Sequence, residues 1–238
     1  MNAFIDQLAG IGDALSNIVF LGGPVVLLLI VMSIVAAAIV IAKAVQFRRV
    51  RINDRRTARS ALSIYRTGNA GAAMTMARRS PNPASRVLAR AIQLRARHDI
   101  PEPVMREEIL QYGGDMLESL RSHLRPLEVI ASLAPLLGLF GTVLGMIEAF
   151  RDLEAAGSQV NPALLSGGIW QALLTTAIGL AVAMPTIVAL NWLERAIDRA
   201  AHEMDSVVTR VFTADLSRQP GQTLSDEDDE HGHSTPFI

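Results

Sequence analysis

Four side chains able to form hydrogen bonds stand out in two stretches of sequence that are mostly apolar and carry no charge. Thr142 lies in the first stretch, and Gln171, Thr175 and Thr176 lie in the second. Such groups in an apolar helix can bond back to their own backbone, join neighbouring helices, or stabilise an ion. No Asp, Glu, Lys, Arg or His occurs in either stretch. A proton carried past these residues must therefore be held by a group from another chain.

Small residues accompany these polar side chains. Gly141 and Gly145 form a small-xxx-small pair, which allows another helix to approach closely. At 100° per residue, eight small or polar residues of the second stretch fall on one arc of roughly 140°. The members of this arc are Gly168, Gln171, Ala172, Thr175, Thr176, Gly179, Ala183 and Thr186. We assign helix packing to Gly138, Gly141, Gly145, Gly179, Pro135 and Pro185.

The elements that position these residues are membrane-spanning helices. Half of the 238 residues are hydrophobic and 19% are charged, which is too apolar for an ordinary soluble domain. Crossing the hydrocarbon core takes about 20 apolar residues, and three uncharged stretches of sufficient length predict spans at 18–47, 126–148 and 169–193. Trp170 and Trp192 are separated by roughly 33 Å of helix, so each can lie at one interface.

The alternative for the first stretch is a cleavable signal peptide. The residues before it include Asp6 and Asp13 but no Lys or Arg, and the apolar run continues past Ala36–Ala38 to Ile41. Both features favour a retained span.

The distribution of arginine predicts the orientation. Residues 44–125 contain sixteen arginines against seven acids, which predicts a cytoplasmic location. These arginines are spread over helical sequence with few aromatics, which argues against nucleic-acid binding and favours contact with lipid headgroups. The predicted segments are a periplasmic N-terminus (1–17), a cytoplasmic helical loop (48–125), a periplasmic loop (149–168), a cytoplasmic helical stalk (194–216) and a disordered acidic tail (217–238).

The predicted fold is therefore an all-α membrane protein with three transmembrane helices and long cytoplasmic helical extensions. A helical pattern begins near Glu102 and runs into span two, with interruptions expected at Gly113-Gly114 and Pro126. Beyond span three, apolar residues keep helical spacing and form a stripe that needs a partner. This stripe consists of Leu193, Ile197, Ala200, Met204, Val207, Val208 and Val211.

The residue types argue against an enzyme. The chain has no cysteine, no nucleophile beside a base, no metal-ligand spacing and no phosphate-binding loop. His231 and His233 in the acidic tail are expected to be solvated rather than metal-bound. We therefore predict no catalytic residue, cofactor or metal site, and we place Thr142, Thr176, Thr175 and Gln171 along an ion pathway.

Depth along the spans supports that assignment. Spans two and three run in opposite directions. Thr142 precedes Glu148 at the outer end of span two by six positions, and Thr176 follows Trp170 at the outer end of span three by six. Both hydroxyls are thus expected about 9 Å below the outer interface.

Two long motifs resemble those of a known family. The second span contains APLLGLFGTVLGMI at 134–147, and the third contains GIWQALLTTAIGL at 168–180, followed by Met184-Pro185 and Asn191. In this order they closely resemble the signatures of the ExbB/TolQ/MotA proton-channel family, and the likeness covers roughly residues 20 to 213. Three spans favour the ExbB/TolQ branch over flagellar MotA-type subunits.

The resemblance implies a multi-pass protein of the bacterial inner membrane that forms a homo-oligomer, commonly a pentamer. It also implies an ExbD/TolR-like single-span partner carrying a membrane aspartate, and a TonB- or TolA-like protein on which the complex performs work. The pore-lining threonines of the family match Thr142 and Thr176. One position departs from the pattern, because Gln171 replaces the usual glutamate and cannot titrate.

Other functions remain open at this point. The small-residue spans could assemble a non-conducting membrane scaffold, and a flagellar stator-like subunit is a second alternative. A solute transporter is disfavoured because the chain has three spans without internal repeats.

Overall fold

The computed structural model describes residues 2–97, 99–155 and 162–213, and the side chains of 23–97, 99–155 and 165–213. Helices are the only regular elements in these ranges, which confirms the predicted all-α class. The acidic tail, with its two histidines, lies outside the described residues. The helices are α1 (Asn2–Arg49), α2 (Arg55–Arg66), α3 (Ala70–Arg79), α4 (Pro83–Arg95), α5 (Glu102–Arg121), α6 (Leu124–Ala155) and α7 (Pro162–Thr213).

Three segments are long and apolar enough to cross a membrane. They are Gly23–Arg49, Leu124–Ala155 and Leu165–Thr213. Helix α1 is broken at Gly23, whose φ of 64° and ψ of −164° are not helical. Pro24 follows this break, where its fixed φ and missing N–H suit the start of a helix. The orientation of these segments in a membrane stays a prediction.

The break before α6 is not where the glycines predicted it. Helix α5 continues through Gly113-Gly114 and ends at Arg121. The interruption falls instead at His123, whose φ of 64° is left-handed. Pro126 lies in the first turn of α6, where a missing N–H costs no helical hydrogen bond. The glycine pair lowers helix propensity, but tertiary packing overrides that preference.

A buried lysine caps the C-terminus of α5. The side chain of Lys43 is 3% exposed. Its Nζ donates to the Leu120 carbonyl oxygen at 2.9 Å, to Gln46 Oε1 at 3.0 Å and to Ser122 Oγ at 3.3 Å. The last carbonyls of a helix lack partners within the helix, and a cation is favoured at that end by the helix dipole. Lys43 thus joins α1 to the break between α5 and α6.

Replacing Lys43 with methionine keeps the stem but removes all three hydrogen bonds. We expect the free energy of unfolding to fall by about 1–3 kcal/mol, because a buried carbonyl loses its charged donor. Denaturation in detergent, followed by tryptophan fluorescence, measures this loss. Ser122→Ala is the control, because it removes only the longest of the three Lys43 contacts, together with two exposed hydrogen bonds of Ser122 to Ser119 and His123, and it should cause a smaller change. Equal stability of the Lys43 variant and the native chain would contradict a capping role.

The chain divides into two compact units. The first comprises Met1–Arg49 and Glu118–Ile197, and the second comprises Val50–Leu117 and Asp198–Ile238. Within the first, α1 packs on α6, and Phe47 contacts Trp192 with ring centroids 6.4 Å apart. The second has an apolar core to which α2, α3, α4 and α5 all contribute.

The core of the second unit also contains part of the α7 stripe. Met204, Val207 and Val211 are at most 3% exposed there, packed with residues of the loop helices such as Leu88 and Ile109. The expectation that this stripe needs a partner chain is wrong for these residues, because helices of the same chain cover them. Hydrophobic periodicity shows that a face must be buried but does not identify what buries it.

Ion pairs flank this core. Glu203 pairs with Arg59 at 3.1 Å, and Glu102 pairs with Arg106 at 2.8 Å. The hydrogen bond from Arg106 lowers the pKa of Glu102. The stabilisation from this carboxylate is therefore present above its ordinary pKa and is lost as the pH falls through the lowered value. Phe212 lies under the guanidinium of Arg106 at 4.5 Å, a cation–π geometry.

Candidate functional site

The candidate site is the seam between α6 and α7 in the first unit. Small residues bring the two helices together in an antiparallel register. Ala134 lies against Gly179, Gly138 against Thr175 and Thr176, Gly141 against Thr175, Gly145 against Ala172, and Ala149 against Gly168. Since Gly141 and Thr175 are in contact, the next residues, Thr142 and Thr176, lie within about 3 Å of each other in depth. This agrees with the shared level expected from the sequence.

The glycines permit an approach that other residues would prevent. A Cβ built on Gly179 would lie 2.6 Å from the Ala134 carbonyl oxygen, and one on Gly141 would lie 2.6 Å from Thr175 Oγ1. At Gly145 the corresponding contact is 3.0 Å to the Cβ of Ala172. At Gly179 and Gly138 the nearest atoms belong to the backbone of the facing helix, which cannot rotate out of the way. Backbone approach of this kind is typical of small-residue helix interfaces in membranes.

The threonine hydroxyls donate hydrogen bonds to backbone carbonyls within this seam. Thr175 Oγ1 donates to the carbonyl oxygens of Ala172 at 2.7 Å and Gly138 at 3.2 Å. Thr176 Oγ1 donates to the same Gly138 oxygen at 3.1 Å, and Thr142 Oγ1 donates to Leu139 of its own helix at 2.6 Å. Two of the three threonines therefore join α6 to α7. Because each hydroxyl has one proton, what remains available to an outside group is an oxygen lone pair.

Burial separates the four predicted pathway residues. Thr175 is 3% exposed and lies beneath α6, whereas Thr142, Thr176 and Gln171 are only partly buried. The arc of α7 predicted from the sequence therefore has a covered centre and two partly accessible edges. Gln171 and Thr176 lie at opposite edges, about 140° apart around the helix. The covered centre consists of Ala172, Thr175, Gly179, Ala183 and Thr186.

The two prolines lie inside their helices and differ in burial. Pro135 in α6 is half-buried, and Pro185 in α7 is exposed. Neither can donate a backbone hydrogen bond, so each leaves one carbonyl of the preceding turn without its helical partner. Next to Pro185, the hydroxyl of Thr186 donates to the Val182 carbonyl at 2.7 Å. The assignment of both prolines to helix packing stays a prediction.

Sequence reasoning missed Lys43, which is buried at one end of the apolar segment of α1. Its main acceptor is a backbone carbonyl 77 positions away, and a carbonyl has no signature in sequence. Sequence reasoning also assigned the arginines of α3 and α4 only to topology and to general contact with lipid headgroups, although several share one cavity.

The described residues thus form a multi-pass helical membrane protein in which two apolar helices meet along a seam of glycine and threonine. A family profile described as the MotA/TolQ/ExbB proton channel family matches residues 79–206. The match covers α4, α5, α6 and most of α7. The chain belongs to the MotA/TolQ/ExbB proton channel family.

Similar proteins carry the names of two branches of this family. The chain is 33% identical over 129 residues to biopolymer transport protein exbB1 of Vibrio cholerae, covering 51% of this chain and 55% of that protein. It is 34% identical over 124 residues to Tol-Pal system protein TolQ of Haemophilus influenzae, covering 51% and 54%. A longer alignment, 28% identical over 204 residues, covers 78% of this chain and 90% of biopolymer transport protein ExbB of Neisseria meningitidis serogroup B. For the first two proteins, the chain thus spans about half of their length.

Proposed function

We propose that the chain is an inner-membrane proton channel subunit of an ExbB–ExbD- or TolQ–TolR-like complex. In this role it converts the proton motive force into mechanical work on a TonB- or TolA-like protein, supporting outer-membrane transport or integrity. The observation that carries the proposal is the α6–α7 seam. Its threonine hydroxyls lie at one level, within the two stretches, 129–147 and 155–193, that contain no ionisable residue.

The absence of an internal carboxylate supports a partner that supplies one. A charged residue at the centre of a bilayer costs about 2.5–3.5 kcal/mol on insertion scales, and nearby polar groups lower this cost. The threonine hydroxyls already donate to backbone carbonyls, so their free lone pairs suit a protonated carboxyl or a water better than a carboxylate. The seam therefore favours passage of the partner's aspartate in its neutral, protonated form.

The energy released by one proton crossing the membrane is about as large as the cost of placing the partner's carboxylate in the bilayer. Moving one proton charge through a membrane potential of 100 mV releases about 2.3 kcal/mol, close to the cost of exposing one carboxylate to the bilayer. A cycle in which the partner's aspartate is protonated on one side and released on the other is therefore driven by potentials of ordinary magnitude.

A homo-oligomer, with a pentamer as the expected form, places several of these seams around the partner helices. Large apolar side chains are exposed on the candidate spans, including Leu136 at 59%, Trp170 at 66% and Val188 at 69%. Exposed apolar surface of this extent requires lipid or neighbouring subunits. The names of the relatives, which refer to biopolymer transport and to a Tol-Pal system, agree with a multi-protein assembly.

The proposed orientation can be tested with single cysteines, because the chain contains none. We expect cysteine at Arg86 or Arg90 to be modified by a membrane-impermeant maleimide only after the cells are opened. A cysteine near residue 5 should be modified in cells with a permeabilised outer membrane. Modification of the Arg86 position from the periplasm would overturn the orientation.

Proton conduction can be tested in liposomes. We expect proteoliposomes containing the chain and an ExbD/TolR-like partner to take up protons under an imposed potential, measured with an internal pH dye. The chain alone and a complex whose partner carries Asp→Asn should show only the leak of empty liposomes. Flux that does not depend on the partner aspartate would overturn the mechanism. Stable assembly without any flux would favour the non-conducting scaffold.

A further inference from the structure

A cavity of about 340 Å³ in the second unit lies between α3, α4 and α5. Its lining consists of Arg78, Arg86, Ala89, Arg90, Gln93 and Tyr112. The volume is at the lower end of the range for small-molecule pockets. Five of the six lining side chains carry hydrogen-bond donors, and three of these are guanidinium groups.

The helical repeat explains why these residues converge. Ala89, Arg90 and Gln93 follow Arg86 by three, four and seven positions, so all four residues share one face of α4. The short side chain of Ala89 in the middle of this face leaves space between the longer ones. Arg78, in the last turn of α3, and Tyr112 of α5 complete the lining.

The positive charge of the cavity is only partly compensated. Arg90 pairs with Glu108, whereas Arg78 donates to the neutral amide oxygen of Gln93 at 3.0 Å. Arg86 is exposed and forms no ion pair within the described part of the chain. Three guanidinium charges against one carboxylate leave a surplus of two positive charges.

Other arginines of the same unit are placed differently. Arg59 pairs with Glu203, and Arg106 pairs with Glu102 over the ring of Phe212. These two arginines, which flank the core of the unit, each have a carboxylate partner. The cavity is a concave site in which two arginines lack a carboxylate partner.

We propose that this cavity binds a phosphate group. Guanidinium groups present paired donors that match two oxygens of a phosphate, and a phosphomonoester carries about −1.5 to −2 charges at neutral pH, which matches the surplus. Donors from three helices line the space, an arrangement that suits the oxygens of a tetrahedral oxyanion. The phosphate belongs either to a soluble phosphomonoester or to a lipid headgroup.

Binding can be measured on the purified full-length protein in neutral detergent. Inorganic phosphate and adenosine monophosphate are titrated by calorimetry in a buffer of constant ionic strength. We expect saturable binding, with affinity reduced about tenfold or more in Arg78→Gln and in Arg86→Gln, since each loses a charge-assisted contact. Sulfate, which has the same geometry, should compete.

Arg79→Gln is the matched control. Arg79 is next to Arg78 in the last turn of α3, is also exposed, and does not line the cavity. Its substitution changes the net charge by the same amount, so affinity should change less than about twofold if the cavity is the site. Unchanged thermal unfolding of the three variants shows that they fold.

A second arm distinguishes the source of the phosphate. The protein in nanodiscs of phosphatidylcholine is compared with the protein in nanodiscs containing phosphatidic acid, using protection of Arg86 from phenylglyoxal as the readout. Protection by phosphatidic acid without binding of the soluble phosphates assigns the site to a lipid headgroup. Absence of binding in both arms, or equal loss of affinity in Arg79→Gln, would overturn the proposal.

Discussion

Gly179→Ala is expected to lower the free energy of unfolding by about 1–3 kcal/mol, the usual cost of overpacking a tight interface. The added Cβ would lie 2.6 Å from the Ala134 carbonyl oxygen and 3.0 Å from the Cα of Gly138. Both atoms belong to the backbone of α6, so the helices must separate to admit the methyl group. Separation also lengthens the bonds from Thr175 and Thr176 to Gly138. Thermal unfolding in detergent, followed by the fluorescence of Trp170 and Trp192, measures the change.

Gly167→Ala provides the matched control in the same helix. A Cβ at Gly167 has no neighbour within 4 Å, so only helix propensity changes, and alanine should raise stability by about 0.5–1 kcal/mol. The two substitutions add the same methyl group to α7 and should act in opposite directions. If both stabilise the protein, the close contact between α6 and α7 does not exist in the folded state.

Thr176→Val and Thr142→Val are expected to reduce proton-driven activity by roughly tenfold or more, while the complex still assembles. Valine keeps the volume but removes the oxygen lone pair that would accept a hydrogen bond from the partner's protonated carboxyl. The loss of one such bond to a buried polar group costs about 1–3 kcal/mol. The measurement is proton flux in liposomes, normalised to the amount of assembled complex.

Thr175→Val and Gln171→Ala separate this role from packing. Thr175 is covered by α6, and the Gly138 oxygen that it contacts keeps a bond from Thr176. We therefore expect Thr175→Val to lower stability by about 0.6 kcal/mol, the average for a hydrogen bond between membrane helices, and to leave the normalised flux nearly unchanged. Gln171 cannot carry a proton, so Gln171→Ala should reduce flux less than either Thr142→Val or Thr176→Val. Full flux in the double variant of Thr142 and Thr176 would remove the support for a pathway at this seam.

The amino-acid sequence was sufficient for the three apolar segments, the helical class and the small-residue arc of α7. These features depend on local properties, namely the run length of apolar residues and their angular spacing along a helix. The relative level of Thr142 and Thr176 also followed from counting residues, because helical rise is nearly constant.

Only the tertiary structure decided which of these surfaces are covered and by what. It placed Thr175 beneath α6 and left Thr176 at the edge, a difference between adjacent residues that periodicity alone does not resolve. In the structure the helix break lies at His123 and not at the predicted Gly113-Gly114, and Lys43 donates a hydrogen bond to the carbonyl oxygen of Leu120. Such choices depend on contacts between residues far apart in the chain, and tertiary packing outweighs local propensity by several-fold in free energy.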